Sequence, residues 1–143
     1  MKISTKGRYA LRVMLDLAIH DGDGLIPLRD IADRSNISLK YLEQIIASLN
    51  HAGLLVSTRG ASGGYKLART VAEYTVGDVL RAAEGSLAPT VCTEEDTLCE
   101  RREECITYPF WLGLDRAICA YVDSVTLADI IEQGRELGVK CDG

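Results

Sequence analysis

The stretch PLRDIADRSNISLKYLEQIIASL, residues 27–49, carries two apolar stripes of helical period separated by a break long enough only for a turn. Leu28, Ile31 and Ala32 form the first stripe, and Leu42, Ile45, Ile46 and Leu49, at i, i+3, i+4 and i+7, form the second. Ser35-Asn36-Ile37 interrupts them, and Ser38 has the short polar side chain that caps a new helix by accepting from its first free backbone N–H groups. His51-Ala52-Gly53 stops that helix. Two short helices joined in this way make a helix-turn-helix. The pattern leaves Lys40, Tyr41, Glu43, Gln44 and Ser48 on the outward face of the second helix.

Upstream, Ala10, Val13, Met14 and Leu17 predict a helix from Ser4/Thr5 to His20, closed by Gly22-Asp23-Gly24. Downstream, Leu54–Thr58 and Tyr65–Leu67 have strand character and flank Gly60-Ala61-Ser62-Gly63-Gly64, whose glycines permit a tight reversal. Thr75 stands three residues before Asp78, a capping pattern, and Val76, Val79, Leu80 and Ala83 mark the helix it opens, ending at Gly85. The expected fold is mainly α. A winged helix-turn-helix domain with a two-stranded β-hairpin wing occupies residues 1–85, a cysteine-bearing loop 86–108, and a long C-terminal helix followed by a last helix 109–143.

Pro109 suits the first turn of the long helix. Trp111, Leu114, Ile118, Tyr121 and Val125 follow at 3-4-3-4 spacing, which fits packing against a second helix and predicts a dimer interface. Thr126 opens the last helix, with Ile130, Ile131 and Leu137 as its apolar positions.

With 47% hydrophobic and 26% charged residues the composition is that of an ordinary soluble globular protein. No apolar run reaches the roughly 20 residues that cross a bilayer, and Met1–Lys6 lacks the apolar core of a secretory leader, so a cytoplasmic protein is expected. Residues 1–70 carry ten Lys/Arg against six Asp/Glu, a net +4, and residues 71–143 carry six against fifteen, a net −9, which together recover the formal −5. The basic half is a candidate phosphate-binding face. Only His20 and His51 are present, isolated from each other, and no glycine-rich phosphate loop follows a strand. Neither an enzyme nor a small-molecule substrate is expected.

A helix-turn-helix reads double-stranded DNA by laying its second helix in the major groove. There Gln44 can pair with adenine, Glu43 can accept from cytosine, and Ser38, Lys40 and Tyr41 can hold phosphate. Arg59, beside Gly60 at the hairpin tip, can enter the minor groove, with Ser57 and Lys66 near the backbone. Lys6 and Arg8 add phosphate-binding capacity near the start of the first helix. The outward face of the second helix, taken alone, equally describes the wet side of any amphipathic helix.

Cys92, Cys99 and Cys105 stand at C-x6-C-x5-C in the loop, where no apolar stripe would bury them as core residues. Cys119, beside Ile118, fits a core position, and Cys141 lies in a polar tail. Three soft thiols select an iron-sulfur cluster, zinc or cuprous ion, and the spacing by itself does not choose among them. Thiol redox sensing without metal is a further alternative. Glu94, Glu95, Asp96, Glu100, Glu103 and Glu104 disfavour a lowered thiol pKa in the metal-free loop, offset in part by Arg101 and Arg102.

Met1-Lys2-Ile3-Ser4-Thr5-Lys6-Gly7-Arg8-Tyr9-Ala10, Ile37-Ser38-Leu39-Lys40-Tyr41-Leu42-Glu43-Gln44 and Arg59-Gly60-Ala61-Ser62-Gly63-Gly64-Tyr65 together resemble the iron-sulfur-cluster regulators of the IscR type and the related CymR and NsrR repressors. The resemblance covers nearly the whole chain. It implies a homodimeric transcription regulator, or repressor, on a pseudo-palindromic operator, paired through the helix after the cysteine loop. It also implies a cluster on Cys92, Cys99 and Cys105, with 2Fe-2S favoured over 4Fe-4S. The chain departs from the IscR pattern in a first spacing one residue longer. Tyr108 stands where that type has a ligand histidine. NsrR relatives take an acidic ligand from the partner's first helix, where this chain has Arg8. Glu103, Glu104, Asp96, Tyr108, a partner residue and an exogenous ligand stay open as the fourth ligand.

Overall fold

Helix α1 (Thr5–Ile19) begins where the Ser4 hydroxyl accepts from the Gly7 N–H, and it buries Ala10, Val13, Met14 and Leu17 along one stripe. The computed structural model describes residues 2–22 and 24–139. Asp23 and Cys141 therefore lie outside the described residues. Helices α2 (Leu28–Ser35) and α3 (Leu39–His51) pack on α1, with Asn36 in the left-handed region (φ 53°) between them and Ser38 capping α3 from its side chain. Asp16, buried on α1, takes two bonds of 2.8 Å from the Arg34 guanidinium on α2. A buried carboxylate is tolerable only with such a partner, so the pair fixes how α2 lies against α1.

Strands β1 (Leu55–Thr58) and β2 (Gly64–Leu67) pair antiparallel in the register Leu55 with Leu67 and Thr58 with Gly64. Leu54 precedes the ladder instead of joining it, while Gly64 extends β2 by one residue. Ile26 adds a bridge to Tyr65, with both backbone bonds at 2.9 Å, so the hairpin is tied to the segment before α2. A side chain at Gly64 would run into the Ile26 carbonyl, which accounts for that glycine by close approach.

Tyr74, fully buried, binds both ends of the wing's base: its hydroxyl donates to the Leu54 carbonyl at 2.7 Å and accepts from the Arg69 N–H at 2.9 Å. It stands after a 3-10 turn, Val71–Glu73, that the apolar pattern did not announce. Helix α4 (Val76–Glu84) follows behind the expected Thr75–Asp78 capping box. The region 86–107 holds one 3-10 turn, Val91–Thr93, and otherwise no helix or strand, and Tyr108, expected in the loop, already belongs to the next helix.

Helix α5 (Tyr108–Ser124) has Pro109 in its first turn as expected but ends one residue before Val125, which is extended and accepts from the Val76 N–H at 2.8 Å. Val125 is thus a joint between α5 and α4 and not the last position of a helical seam. Helix α6 (Leu127–Glu136) returns to the first unit: Leu127 is fully buried in the same core as α1, whereas Leu137, expected in the apolar stripe, is 79% exposed just past the helix end. The Tyr74 carbonyl accepts from Leu127 N–H at 3.0 Å, so the wing base and the last helix meet at one residue.

Tyr74→Phe removes the buried hydroxyl and leaves the Leu54 carbonyl and Arg69 N–H without their partner. It is expected to cost about 1–3 kcal/mol of stability, read as a lowered urea midpoint with unchanged slope.

Candidate nucleic-acid interface and cysteine loop

Burial of Leu42, Ile45, Ile46 and Leu49 turns the other side of α3 outward, and Lys40, Glu43 and Gln44 are exposed there, with Ser38 exposed at its start. Ser57, Arg59 and Gly60 are exposed on β1 and the hairpin turn, where Gly60 adopts φ 110°. Among the described residues nothing hydrogen-bonds or ion-pairs with the side chains of Arg8, Lys40 or Arg59, all exposed. Two expected contacts are partly committed elsewhere. Tyr41 is half-buried, its ring edge-on to Tyr9 at 5.9 Å between centroids, and Lys6 donates to the Ser48 hydroxyl at 2.7 Å, which ties α1 to α3.

Glu84, the last residue of α4, lies against the start of α1. Its carboxylate accepts from the Ser4 N–H at 2.9 Å and from the Ser4 hydroxyl. It also fills the space where a Gly7 side chain would be. A carboxylate there complements the positive end of α1. The sequence reading missed this contact, which spans 80 positions, although a glycine inside an otherwise helical stripe was a signal of close approach.

Arg81 and Asp123 join α4 to α5 through two bonds of 2.7 and 2.9 Å, beside Gly77, where the Asp123 carboxylate leaves no room for a Cβ. The Arg81 guanidinium holds the Asp123 carboxyl below the usual range, and that carboxylate in turn pushes the Arg81 pKa up. Cys119 is half-buried, near Arg81, so it is not the core residue its neighbour Ile118 suggested. It borders a cavity of about 370 Å³ between the end of α4, the loop and α5, with Glu94, Glu95, Asp96 and Asp115 also on its wall. No residue of α5 is buried. Trp111, Leu114 and Ile118 are half-buried, while Tyr121 is 71% and Phe110 65% exposed, an apolar face open along the helix.

Cys92, Cys99 and Cys105 carry free, half-buried thiols on one loop. The Thr90 hydroxyl is 3.0 Å from the Cys92 sulfur and the Thr107 hydroxyl 3.4 Å from that of Cys105. The Thr107 side chain, then its backbone, lowers the Cys105 thiol pKa, against the expectation drawn from the neighbouring acids. A direct hydrogen bond outweighs carboxylates that are mostly exposed to solvent. Arg102 reaches across the loop, donating to the Cys92 and Thr97 carbonyls at 3.2 Å each, with its guanidinium 5.0 Å above the Tyr108 ring. Among the described residues, no three His, Cys, Asp or Glu are gathered into a group that could hold a metal ion. The donor chemistry nevertheless fits a thiophilic metal or cluster: three free thiols share a segment with almost no regular structure to oppose their gathering.

Residues 3–133 match the Rrf2 family, described as iron-dependent transcriptional regulators. The chain is 39% identical to the HTH-type transcriptional regulator IscR of Serratia proteamaculans over 131 residues, 92% of this chain and 79% of that one. It is 41% identical to protein rrf2 of Nitratidesulfovibrio vulgaris, again over 92% of this chain and 87% of the relative. Among solved structures it is similar to T. potens IscR (TM-score 0.75, 42% identity, 96% of this chain and 90% of that one). It is also similar to CymR, the global cysteine regulator of B. subtilis (TM-score 0.74, 40% identity, 93% and 98%).

Because Asp123 is depressed in the folded state, the stability it contributes is present above the unfolded carboxylate pKa near 4 and is lost as pH falls through the folded value. Asp123→Asn is therefore expected to melt below the wild type at pH 7, with the gap closing as pH is lowered from about 4 toward 2. Thermal unfolding followed by circular dichroism across that range checks it.

Proposed function

The chain belongs to the Rrf2 family of transcriptional regulators, and on that ground we propose that it acts as a homodimer on double-stranded DNA, with operator binding controlled by an iron-sulfur cluster on Cys92, Cys99 and Cys105. It is a regulator and not an enzyme, as its family and relatives are. The observation that carries the DNA reading is the pairing of an unengaged polar face on α3 with an unengaged Arg59 on the wing. Glu43 and Gln44 serve the major groove, Arg59 and Gly60 the minor groove, and Ser38, Lys40, Tyr41, Ser57, Lys6 and Arg8 the phosphates. Tyr41 and Lys6 act through their hydroxyl and remaining N–H groups, since ring and ammonium are partly used within the fold.

The open apolar face of α5, with Trp111, Leu114, Ile118 and Tyr121, supports pairing with a second copy, which brings two α3 helices to a two-fold operator. No helix among the described residues is long and apolar enough to cross a membrane. A cytoplasmic location follows from the regulatory role.

A bound cluster supplies iron–thiolate bonds that hold the three cysteines together; 2Fe-2S is favoured, 4Fe-4S the alternative. The rest of the response is carried by this chain's own contacts. The loop leaves α4 directly after Glu84, Glu84 holds Ser4 at the start of α1, and Lys6 on α1 holds Ser48 on α3. Reordering the loop at its attachment to α4 therefore reaches α3 through two polar contacts.

A second reading keeps the regulator and uses the cysteines as thiol sensors. Two observations favour it: the described thiols are not gathered into a metal group, and the Cys105 thiol pKa is lowered. Anaerobic purification with iron and sulfide analysis and visible absorbance separates the readings; the cluster reading expects both elements and a coloured protein, lost in Cys92→Ala, Cys99→Ala and Cys105→Ala. Wild-type protein free of iron and sulfide under those conditions and after reconstitution would leave the thiol reading.

On an operator from the gene's own upstream region, Gln44→Ala is expected to cost about 1–3 kcal/mol and relax preference at one base position. Lys40→Ala should weaken binding to all sequences and reduce the salt slope by about 1. Fluorescence anisotropy at several salt concentrations checks both, and equal behaviour of the two variants would contradict the assigned roles.

A further inference from the structure

Arg102 is set between Cys99 and Cys105, in a segment with six carboxylates, Glu94, Glu95, Asp96, Glu100, Glu103 and Glu104, yet among the described residues it ion-pairs with none of them. It spends its donors on the loop's backbone instead. One Nη2 donates to the carbonyls of Cys92 and Thr97, which lie on the far side of Cys99, and the guanidinium plane covers Tyr108 at the start of α5. A single side chain thus ties the first cysteine, the approach to the second and the residue three past the third. Its Nε is buried and has no hydrogen-bond acceptor among the described residues. A guanidinium keeps its charge at any physiological pH and presents its N–H groups in a rigid fork, so a buried, unsatisfied Nε–H on a side chain tied to the Cys92 backbone is a donor in want of an anion.

We propose that Arg102 is the positioning residue of the cysteine site, placing its fixed charge and its Nε–H against the sulfur of the gathered thiolates. This rests on the cluster reading above. Three thiolates brought together repel one another, and the neighbouring carboxylates add to that; a half-buried cation held at the Cys92 backbone offsets both. Arg101, adjacent in sequence but exposed and, among the described residues, without a partner, supplies the same formal charge with none of the contacts. The pair separates position from net charge.

The test uses the full chain, reduced and metal-free under anaerobic conditions, titrated with Co(II) and followed by thiolate-to-cobalt absorption. The same proteins are then reconstituted with iron and sulfide and their reduction midpoints measured. Arg102→Ala is expected to weaken Co(II) binding about 10- to 100-fold, the range for lost supporting contacts around a metal site, and to make the cluster harder to reduce. Arg102→Lys should recover part of both effects by keeping the charge without the fork, and Arg101→Ala should match the wild type. Equal Co(II) affinity and midpoint in wild type, Arg102→Ala and Arg101→Ala would overturn the assignment while leaving the cluster reading intact. Wild type that takes up neither Co(II) nor iron would overturn both. Should Arg102→Ala fail to fold, Arg102→Lys decides: wild-type affinity and midpoint in that variant count against the fork geometry and overturn the proposal.

Discussion

The buried hydroxyl of Tyr74 accepts from one end of the wing and donates to the other, while its backbone carbonyl receives the first N–H of α6. A two-stranded hairpin has little stability by itself, so the wing's direction depends on what its base is tied to. Here the base is tied to a ring with no freedom to move, since Tyr74 is fully enclosed by the core that also contains Leu54, Leu127 and Val79. The far side of the hairpin is fastened by the Ile26 bridge. Tyr74 holds the core end of the hairpin and the Ile26 bridge holds β2 close to the turn, while Arg59 and Gly60 stay exposed at the tip. The hairpin is thus fastened at two levels, and only its tip is left without a tie to the rest of the fold.

Where local chemistry decided the structure, the sequence was legible. The α2–α3 turn follows from Asn36 and the Ser38 cap, α4 from the Thr75–Asp78 box, and α5 from Pro109, because each signal acts within three or four residues of itself. Val125 and Leu137 were misplaced for a common reason. Apolar spacing says which residues could share a face but not where the helix stops, and a Val that ends a heptad in sequence ends up pairing its carbonyl with Val76. Leu127, the truly buried residue of α6, was passed over because it falls in the first turn, where the cap drew attention instead.

The candidate site was legible in type but not in arrangement. Cys92, Cys99 and Cys105 announce themselves by residue chemistry, and Lys40, Glu43, Gln44 and Arg59 by being polar where the apolar stripe forbids burial. Glu84, Arg81 and Arg102 gave no such sign. Each acts through a contact that only the folded chain brings about: Glu84 on Ser4, Arg81 on Asp123, Arg102 on the carbonyls of Cys92 and Thr97. A charged residue in sequence reads as solvated surface until its partner is known. The acidic neighbours of the cysteines illustrate the converse, since their number suggested a raised thiol pKa while one threonine hydroxyl set the direction at Cys105.

These three contacts also bear on how a loop in the acidic half could influence a surface in the basic half. One route is the field of the loop's charges, which acts on DNA phosphate through solvent. At physiological ionic strength exposed charges are screened over about 8 Å, and most of the loop's carboxylates are exposed, so this route fades with distance and salt. The other route is mechanical. Glu84 closes α4 and caps α1 with no space left at Gly7, and Lys6, one residue away, is bonded to Ser48 on the helix whose outward face holds Gln44. Close-packed contacts of that kind transmit a displacement without depending on ionic strength, because there is no slack to absorb it. Gly7 is what makes the route tight: a residue with any side chain would hold Glu84 off, loosen the cap, and leave the loop's attachment free to move without disturbing α3.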